Sequence, residues 1–374
     1  ENRPQVAQSP DNVIFNAYHF PRNLRLEDLE NFRDEDGQPR IWTEANFSRR
    51  NNPYWSVDLN TNQDSRNRLL GYLRFQYEFT PWLNAFVRAG TDYNEARREV
   101  QVATNTSYKP NGAGEYRIEK SVAQQTTYDF LIDADREITE GFNTRLYLGG
   151  SWKVETSELS GTFGRGLSIP DFFTPSNLTS PNPLYAFSEK QIRSAYALGE
   201  FRYRDFVFLE LTARNDWSSA LPEDNNSYFY PSYTLGILFS DFLGWEPLSY
   251  AKLRGSIAEV GSDTQPYRTL LEFTVEGEGQ GDQSFGSAPI ALPPVDLKPE
   301  ITTSYELGLD LGLLEDRIET AFTYYRTNTR NQIIQLTLPP ASGFRTGTVN
   351  AGEVLNQGVE LLAQGTVLQA GDFQ

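Results

Sequence analysis

Few residues in this chain have the types and spacing that catalysis needs. The single histidine, His19, stands in the irregular run AYHFPR, with no second ligand at metal spacing. Any Ser-His-Asp triad would have to be built on that one residue. Glu276 and Glu278 are an acid pair of the glycosidase kind, but they sit in EGEGQGD, where nothing fixes their separation. Gly277 to Gly281 reads GxGxG without the strand-to-helix context of a dinucleotide site. Asp34 to Gly37 (DEDG) opens like a calcium loop and lacks the later ligands. Phosphate loops, nucleophile elbows, Cys-His pairs and zinc helices are absent. The expectation is no enzyme, no cofactor and no metal. What the chain does carry is binding equipment. Asp216, Trp217, Tyr228 and Tyr230 flank the acid and amide run Glu223 to Asn226. Aromatic faces beside acids and amides suit a sugar, which offers C–H faces and a rim of hydroxyls. Rings in the same places also form the interfacial girdle of a membrane barrel. Both readings stand.

The elements that position these residues are strands. Phe206 to Ala213 alternates, with Val207, Leu209, Leu211 and Ala213 on one face and Glu210 and Thr212 on the other. Period two marks a strand whose faces meet different environments. The same plan starts at Leu69. Leu69, Leu73, Phe75, Tyr77 and Phe79 oppose Arg74, Gln76 and Glu78, and Thr80-Pro81 turns the chain. It recurs through Tyr128 to Arg136, Phe142 to Trp152, Ser194 to Tyr203, Tyr233 to Phe239, Ala251 to Val260, Tyr305 to Leu313, Ile318 to Tyr325 and a last strand from Val359 to Val367. Ahead of it, 1–68 reads as an irregular polar lead-in, with a short helix predicted within Leu24 to Phe32. The domain reading is therefore this lead-in and a periodic part, 69–374.

Short turns and long loops alternate strictly between these segments. Thr139 to Gly141, Arg204-Asp205 and Glu315-Asp316 are short; Asn94 to Gln124, Gly164 to Ser188 and Gly261 to Glu300 are long. An antiparallel barrel sorts its connections this way, with all short turns at one end. Arg74, Arg88, Arg145, Lys252, Arg254, Glu306, Asp310 and Glu319 share one face by parity. Charges of both signs on that face imply a wet or plugged lumen. No run is apolar and long enough for a membrane helix, and a barrel needs none. The chain has 374 residues, 13% aromatic, no cysteine and a formal charge of −17. Absent cysteine excludes a disulfide framework, and the negative charge argues against nucleic acid as a partner. The fold class expected is all-β, an antiparallel transmembrane β-barrel. The runners-up in function are a passive porin-like channel and a soluble β-protein that binds glycans through exposed rings.

The run LTARNDWSSALPEDNNSYFYPS, from Leu211 to Ser232, resembles a signature of SusC/RagA-like TonB-dependent outer-membrane transporters. Three further stretches agree in order: YAKLRGSIAEVGSDTQPY, LKPEITTSYELGLDLGLLEDRIETAFTYYRTNTRNQI and NAGEVLNQGVEL. Gly71 to Tyr93 fits the same family's first hairpin, so the resemblance covers most of Leu69 to Phe373. It implies a barrel of about 22 strands, of which roughly half are here. The short turns would lie in the periplasm and the long loops outside the cell. An N-terminal plug carrying the TonB contact is not recognisable, nor are the closing C-terminal strands. The expectation is therefore an internal piece of the barrel. The implied function is active import of a bulky nutrient, an oligosaccharide ahead of a peptide, across the outer membrane. The implied partners are a SusD-like surface lipoprotein over the loops, TonB through the plug, and outer-membrane lipid.

Overall fold

The alternating segments become long paired strands in the computed structural model, which describes residues 12–18, 23–25, 27–41, 51–107, 109–276 and 285–366. His19, Glu278, Val367 and the Gly277 to Gly281 run lie outside the described residues. Three short helices come first: α1 (Val13–Tyr18), α2 (Glu27–Glu30) and α3 (Pro53–Asp58). The strands follow as β1 (Thr61–Thr80), β2 (Leu83–Val102), β3 (Glu115–Thr139), β4 (Phe142–Leu167), β5 (Leu178–Tyr203), β6 (Val207–Ser218) and β7 (Ser227–Leu238). A single helical turn, α4 (Ser240–Leu243), leads to β8 (Leu248–Ser262). Then come β9 (Thr274–Glu276), β10 (Phe285–Ser287), β11 (Ala291–Leu292), β12 (Glu300–Leu313), β13 (Ile318–Arg330), β14 (Ile333–Thr337), β15 (Thr346–Asn350) and β16 (Glu353–Gly365).

One 11-stranded sheet runs in the order β1-β2-β3-β4-β5-β6-β7-β8-β12-β13-β16. From β5 onward each strand pairs antiparallel with its neighbour in that order. The short strands form two small sheets within the long loops, β10-β9 and β11-β15-β14. Two of the short turns need left-handed backbone at ordinary residues, Arg204 and Asp205 in one and Leu314, Glu315 and Asp316 in the other. Positive φ at consecutive turn positions matches the right-handed twist of the strands they join.

Strands β3, β4 and β5 span 25, 26 and 26 residues, far beyond the apolar alternation. The stretches expected as loops at Asn94 to Gln124 and Gly164 to Ser188 are therefore partly strand. Charged and polar residues interrupt these outer ends, so hydrophobic period two does not reveal them; ion pairs such as Arg165–Glu115 and Lys120–Glu95 join the backbone pairing there. The helix expected within Leu24 to Phe32 is likewise shorter, reduced to α2.

The chain divides into two compact units. The first comprises Glu1–Gly71, Thr91–Gln125 and Glu155–Ser188. Its buried anchor is Trp55 of α3, whose Nε1 donates to Thr106 Oγ1 at 3.0 Å. Asn52 caps α3 by accepting from Tyr54 N at 2.9 Å and donates to the carbonyls of Leu29 and Arg40. Asparagine side chains thus satisfy backbone groups that a polar lead-in leaves without a ladder. On β3, burial and then the neighbouring Glu99 carboxylate push the Tyr116 phenol up to about 12.

The second unit comprises Tyr72–Gly90, Thr126–Val154 and Glu189–Gln374. Register sorts its side chains cleanly. Leu307, Leu309 and Leu311 lie level with Tyr324, Phe322 and Thr320 on β13, and Leu309 also with Leu253 on β8. Phe322 and Tyr324 meet Leu361 and Val359 on β16. This face stays open, with Leu361 at 74% and Leu307 at 53% exposure. A contiguous apolar face of that size is a surface for something other than water. Farther out on the same face, Thr303, Glu259 and Arg330 bond one another, and Asn328 donates to Glu353. The apolar band therefore ends, after about nine residues of β12, close to the ~9–11 that a tilted spanning strand needs. The opposite face carries the Arg254–Asp310 ion pair at 3.3 Å and the Gln364–Glu319 hydrogen bond.

Arginine placed at Leu309, midway along the apolar band, is expected to cost about 2–4 kcal/mol. Urea titration of the protein refolded into vesicles would read this. Arginine at the lumen-side neighbour Gly308 meets the Arg254 side chain instead, so the loss at Leu309 should be compared with one at Asp310. Equal tolerance of both substitutions would count against the assignment of the faces.

Candidate functional site

The signature run folds as the outer ends of β6 and β7 with the connection between them. Parity divides its four candidate residues. Asp216 pairs in register with Tyr228, and Arg214 with Tyr230, all on the polar face. Trp217 pairs with Ser227 on β7 and with Arg193 on β5, on the apolar face. The structure therefore brings Asp216, Tyr228 and Tyr230 together and sets Trp217 apart from them, on the other side of the sheet.

Asp216 is buried at 6% exposure, with both carboxylate oxygens engaged. Arg214 Nε donates to Oδ1 at 2.9 Å and the Tyr230 hydroxyl donates to Oδ2 at 2.6 Å. Arg214 Nη2 also donates to Ser194 Oγ at 2.9 Å, and its guanidinium lies 5.6 Å from the centre of the Tyr196 ring. A buried carboxylate persists only where such partners replace its hydration. The Tyr228 and Tyr230 rings stack with centroids 6.0 Å apart. Tyr228 is itself buried, packed with Leu221 and Leu297 and half-covered Tyr230 and Ile333. A Cβ at Gly261 would run into the Tyr228 ring. Glycine there is what lets the strand pass beneath the ring.

The cluster reaches into three long connections. Ser218 Oγ bonds Asp263, whose other oxygen accepts from Lys190 Nζ at 2.6 Å. Asn225 Nδ2 donates to Asp296 at 2.5 Å, one residue before buried Leu297. Asn350 brackets Lys298, accepting from its N–H at 2.7 Å and donating to its carbonyl at 2.8 Å. Glu300 accepts from the Ile333 N–H at 2.6 Å. The loop bases are thus tied across the rim by side chains that bond both other side chains and backbone.

Nearer the short turns, the polar face holds a cavity of about 470 Å³. Asp135, Arg145, Glu200, Arg202, Glu210 and Lys252 line it, with Phe208 among them. Arg145 Nε donates to Asp133 at 3.0 Å, Lys252 lies over the Phe208 ring, and Glu200 stands directly opposite Glu210 in register. This wall offers donors, acceptors and charges of both signs to a hydrated solute. Among the described residues, no group of three or more His, Cys, Asp or Glu is arranged to hold a metal.

The sequence matches the family model described as TonB dependent receptor-like, beta-barrel, over residues 4–374. The chain belongs to this TonB-dependent receptor-like β-barrel family. It is 26% identical over 362 residues to TonB-dependent receptor P26 of Formosa agariphila, covering 91% of this chain and 36% of that protein. TonB-dependent receptor P39 of the same organism is 23% identical over 325 residues, covering 83% and 30%. Among solved structures, the RagAB peptide transporter superposes with a TM-score of 0.80 at 19% identity, over 89% of this chain and 38% of that one. That is a likeness of fold. The chain spans about a third of the length of these relatives.

Four of the runs, those around Asp216, Asp263, Leu297 and Asn350, supply the residues bonded to one another at this rim. Lys190, Asp263, Leu297 and Asn350 belong to this arrangement and were not legible as site residues. The last three stand in or beside the quoted runs, so the resemblance was the one available pointer. Their pairing partners lie 45 to 73 residues away.

Asp216→Ala leaves the Tyr230 hydroxyl and Arg214 without their acceptor. The expected loss is about 2–3 kcal/mol, below the range for fully buried pairs because Arg214 is partly exposed. Tyr230→Phe should lose about half of that. The temperature at which the folded barrel loses its compact mobility in detergent gels reads both. Unchanged temperatures in both variants would show that the cluster does not hold the rim.

Proposed function

We propose that this chain is barrel wall in an active importer of a bulky hydrophilic nutrient across the bacterial outer membrane, an oligosaccharide ahead of a peptide. The observation that carries the reading is the two-faced sheet. One face is apolar and open, the other is charged in both signs, and long loops are tied together at one end. In this reading the apolar face meets lipid, the charged face lines the passage, and the tied loops lie outside the cell. The short turns lie in the periplasm. Residues 1–68 are the lead-in to the wall, and 69–374 the wall itself.

The family membership supports TonB as the energy source, acting through a plug domain elsewhere in the full-length protein. A SusD-like surface lipoprotein seated on the tied loops is the partner we assign to the rim. No catalysis and no cofactor enter the scheme. Cargo is moved, not altered. The test is uptake of labelled oligosaccharides and peptides by cells expressing the full-length protein, with and without TonB. Uptake that persists without TonB would favour the passive channel. Recovery of the protein from buffer without detergent would favour the soluble glycan binder. Uptake confined to peptides would reverse the cargo order.

The four rim residues take different parts here. Asp216, Tyr228 and Tyr230 hold the loops that face the cargo, with the Tyr230 edge and the acid-amide run nearest to it. Trp217 sits at the lipid edge as a girdle residue. Trp217→Ala should therefore lower heat stability or assembly while cargo affinity in the surviving protein is unchanged. Reduced affinity with unaltered stability would make Trp217 a cargo contact instead.

A further inference from the structure

On the apolar face, Arg193 is out of character. Its neighbours along β5 on that face are Ala195, Ala197, Gly199 and Phe201. It lies in register with Trp217, and its guanidinium is 5.8 Å from the centre of the Trp152 ring. Trp152 is held in place: its Nε1 donates to Gln191 Oε1 at 3.2 Å, and its ring packs on Tyr128 at 5.6 Å. The nearest acid along the same strand face, Glu189, is taken up by Gln191 Nε2 at 2.7 Å. Among the described residues, no carboxylate forms an ion pair with Arg193. A guanidinium lying over an indole makes no in-plane bond to it, and its N–H groups match a phosphate in a fork geometry.

Directly beside this cation, the same face opens into a crevice of about 610 Å³. Phe75, Val87, Tyr128, Phe130 and Trp152 line it together with Arg193, and the lining also includes Arg88 and Asp129, which are paired with each other at 2.7 Å. Its volume is within the ~300–1,000 Å³ of small-molecule pockets. Gly150 helps shape it, since a Cβ there would collide with the Phe130 ring. Trp152, Tyr128, Arg193 and Trp217 each lie about ten or eleven residues from the short turn of their hairpin. By the ~9–11 residues of a spanning strand, that is the outer membrane–water edge.

We propose that this crevice is a specific site for one acidic, phosphate-bearing lipid of the surrounding membrane. Its phosphate sits on Arg193, between Trp152 and Trp217, and an acyl chain fills the crevice below. The choice of occupant follows from charge and shape together: an exposed cation without an acid, at headgroup height, above an apolar slot. The inference rests on the outer-membrane barrel reading, because the lipid reaches this face only if that face meets the bilayer.

Tryptophan quenching by brominated lipids tests it on the full-length protein in nanodiscs of phosphatidylcholine. A minor fraction of lipid is replaced by dibrominated phosphatidylglycerol or, separately, by dibrominated phosphatidylcholine. The expected result is about fivefold more effective quenching by the acidic lipid, which corresponds to about 1 kcal/mol for one basic side chain. Arg193→Gln should bring the two lipids to parity, and Arg193→Lys should retain a preference. Trp152→Phe should remove the part of the signal that distinguishes them. Equal quenching by the two lipids in the parent protein, or a preference that survives Arg193→Gln, overturns the site and leaves the membrane reading intact. Absence of quenching by either lipid overturns the membrane reading, and the site with it.

Discussion

Everything in this structure depends on pairing the backbone. In a bilayer no water is present to receive an N–H or C=O, so each must find its partner within the protein. An antiparallel ladder meets that demand strand by strand, and here eleven strands are hydrogen-bonded side by side in one sheet. Once the backbone is satisfied by its own ladder, side chains are released from that duty. They can then be chosen freely for the two sides of the sheet, which explains how Leu309 and Asp310 stand next to each other with opposite surroundings. The ladder also continues past the apolar band in β3, β4 and β5. There water could satisfy the backbone, so pairing is not forced by the surroundings in the same way.

The loops are then fixed by a second kind of interaction, side chains that cap or bridge backbone across sequence. Asn350 on Lys298 and Glu300 on Ile333 do the work that a strand ladder does below. The Arg214–Asp216–Tyr230 cluster belongs to the same set. An apolar substitute would pack as well, but the rim borders hydrated surfaces, and a fully bonded polar group has a unique geometry there where an apolar contact could slide. Leu297 and Leu221 add a small apolar plug on Tyr228, so the cluster is closed on one side and wet on the other.

These two layers differ in how far the sequence reveals them. The membrane part was legible, because lipid on one side and charge on the other impose period two on every strand. The alternation of Tyr305 to Leu313 has the phase that the register shows. The outer strand ends were not, since with water on both sides no period is imposed. The rim was legible as a place and not as a mechanism. Asp263 bonds Ser218 and Lys190, and nothing local to Asp263 announces partners 45 and 73 residues away. Trp217 is a different case. Odd-numbered Leu209, Leu211 and Ala213 already placed it on the apolar face by parity. Its neighbour Asp216 points to the opposite side, because adjacent residues of a strand alternate.

That opposition gives β6 a double character. Read on even positions, Glu210, Thr212, Arg214, Asp216 and Ser218 form a polar column that begins at the charged cavity and ends in the loop clasp. Read on odd positions, Leu209, Leu211, Ala213, Asn215 and Trp217 form an apolar column that turns polar at its top, where Asn215 donates to Ser227. Both columns change character at the same height. On one side the lumen passes from open charge to bonded network; on the other, the lipid-like surface passes to amide and indole. A single strand thus records where the membrane ends, twice and independently. The coincidence is a constraint on the sequence: a one-residue slip of β6 would put Asp216 on the apolar face and Trp217 in the clasp, failing both sides at once. Register is therefore held by the two edges together, and by Glu210 below them, which the same slip would carry onto the apolar face.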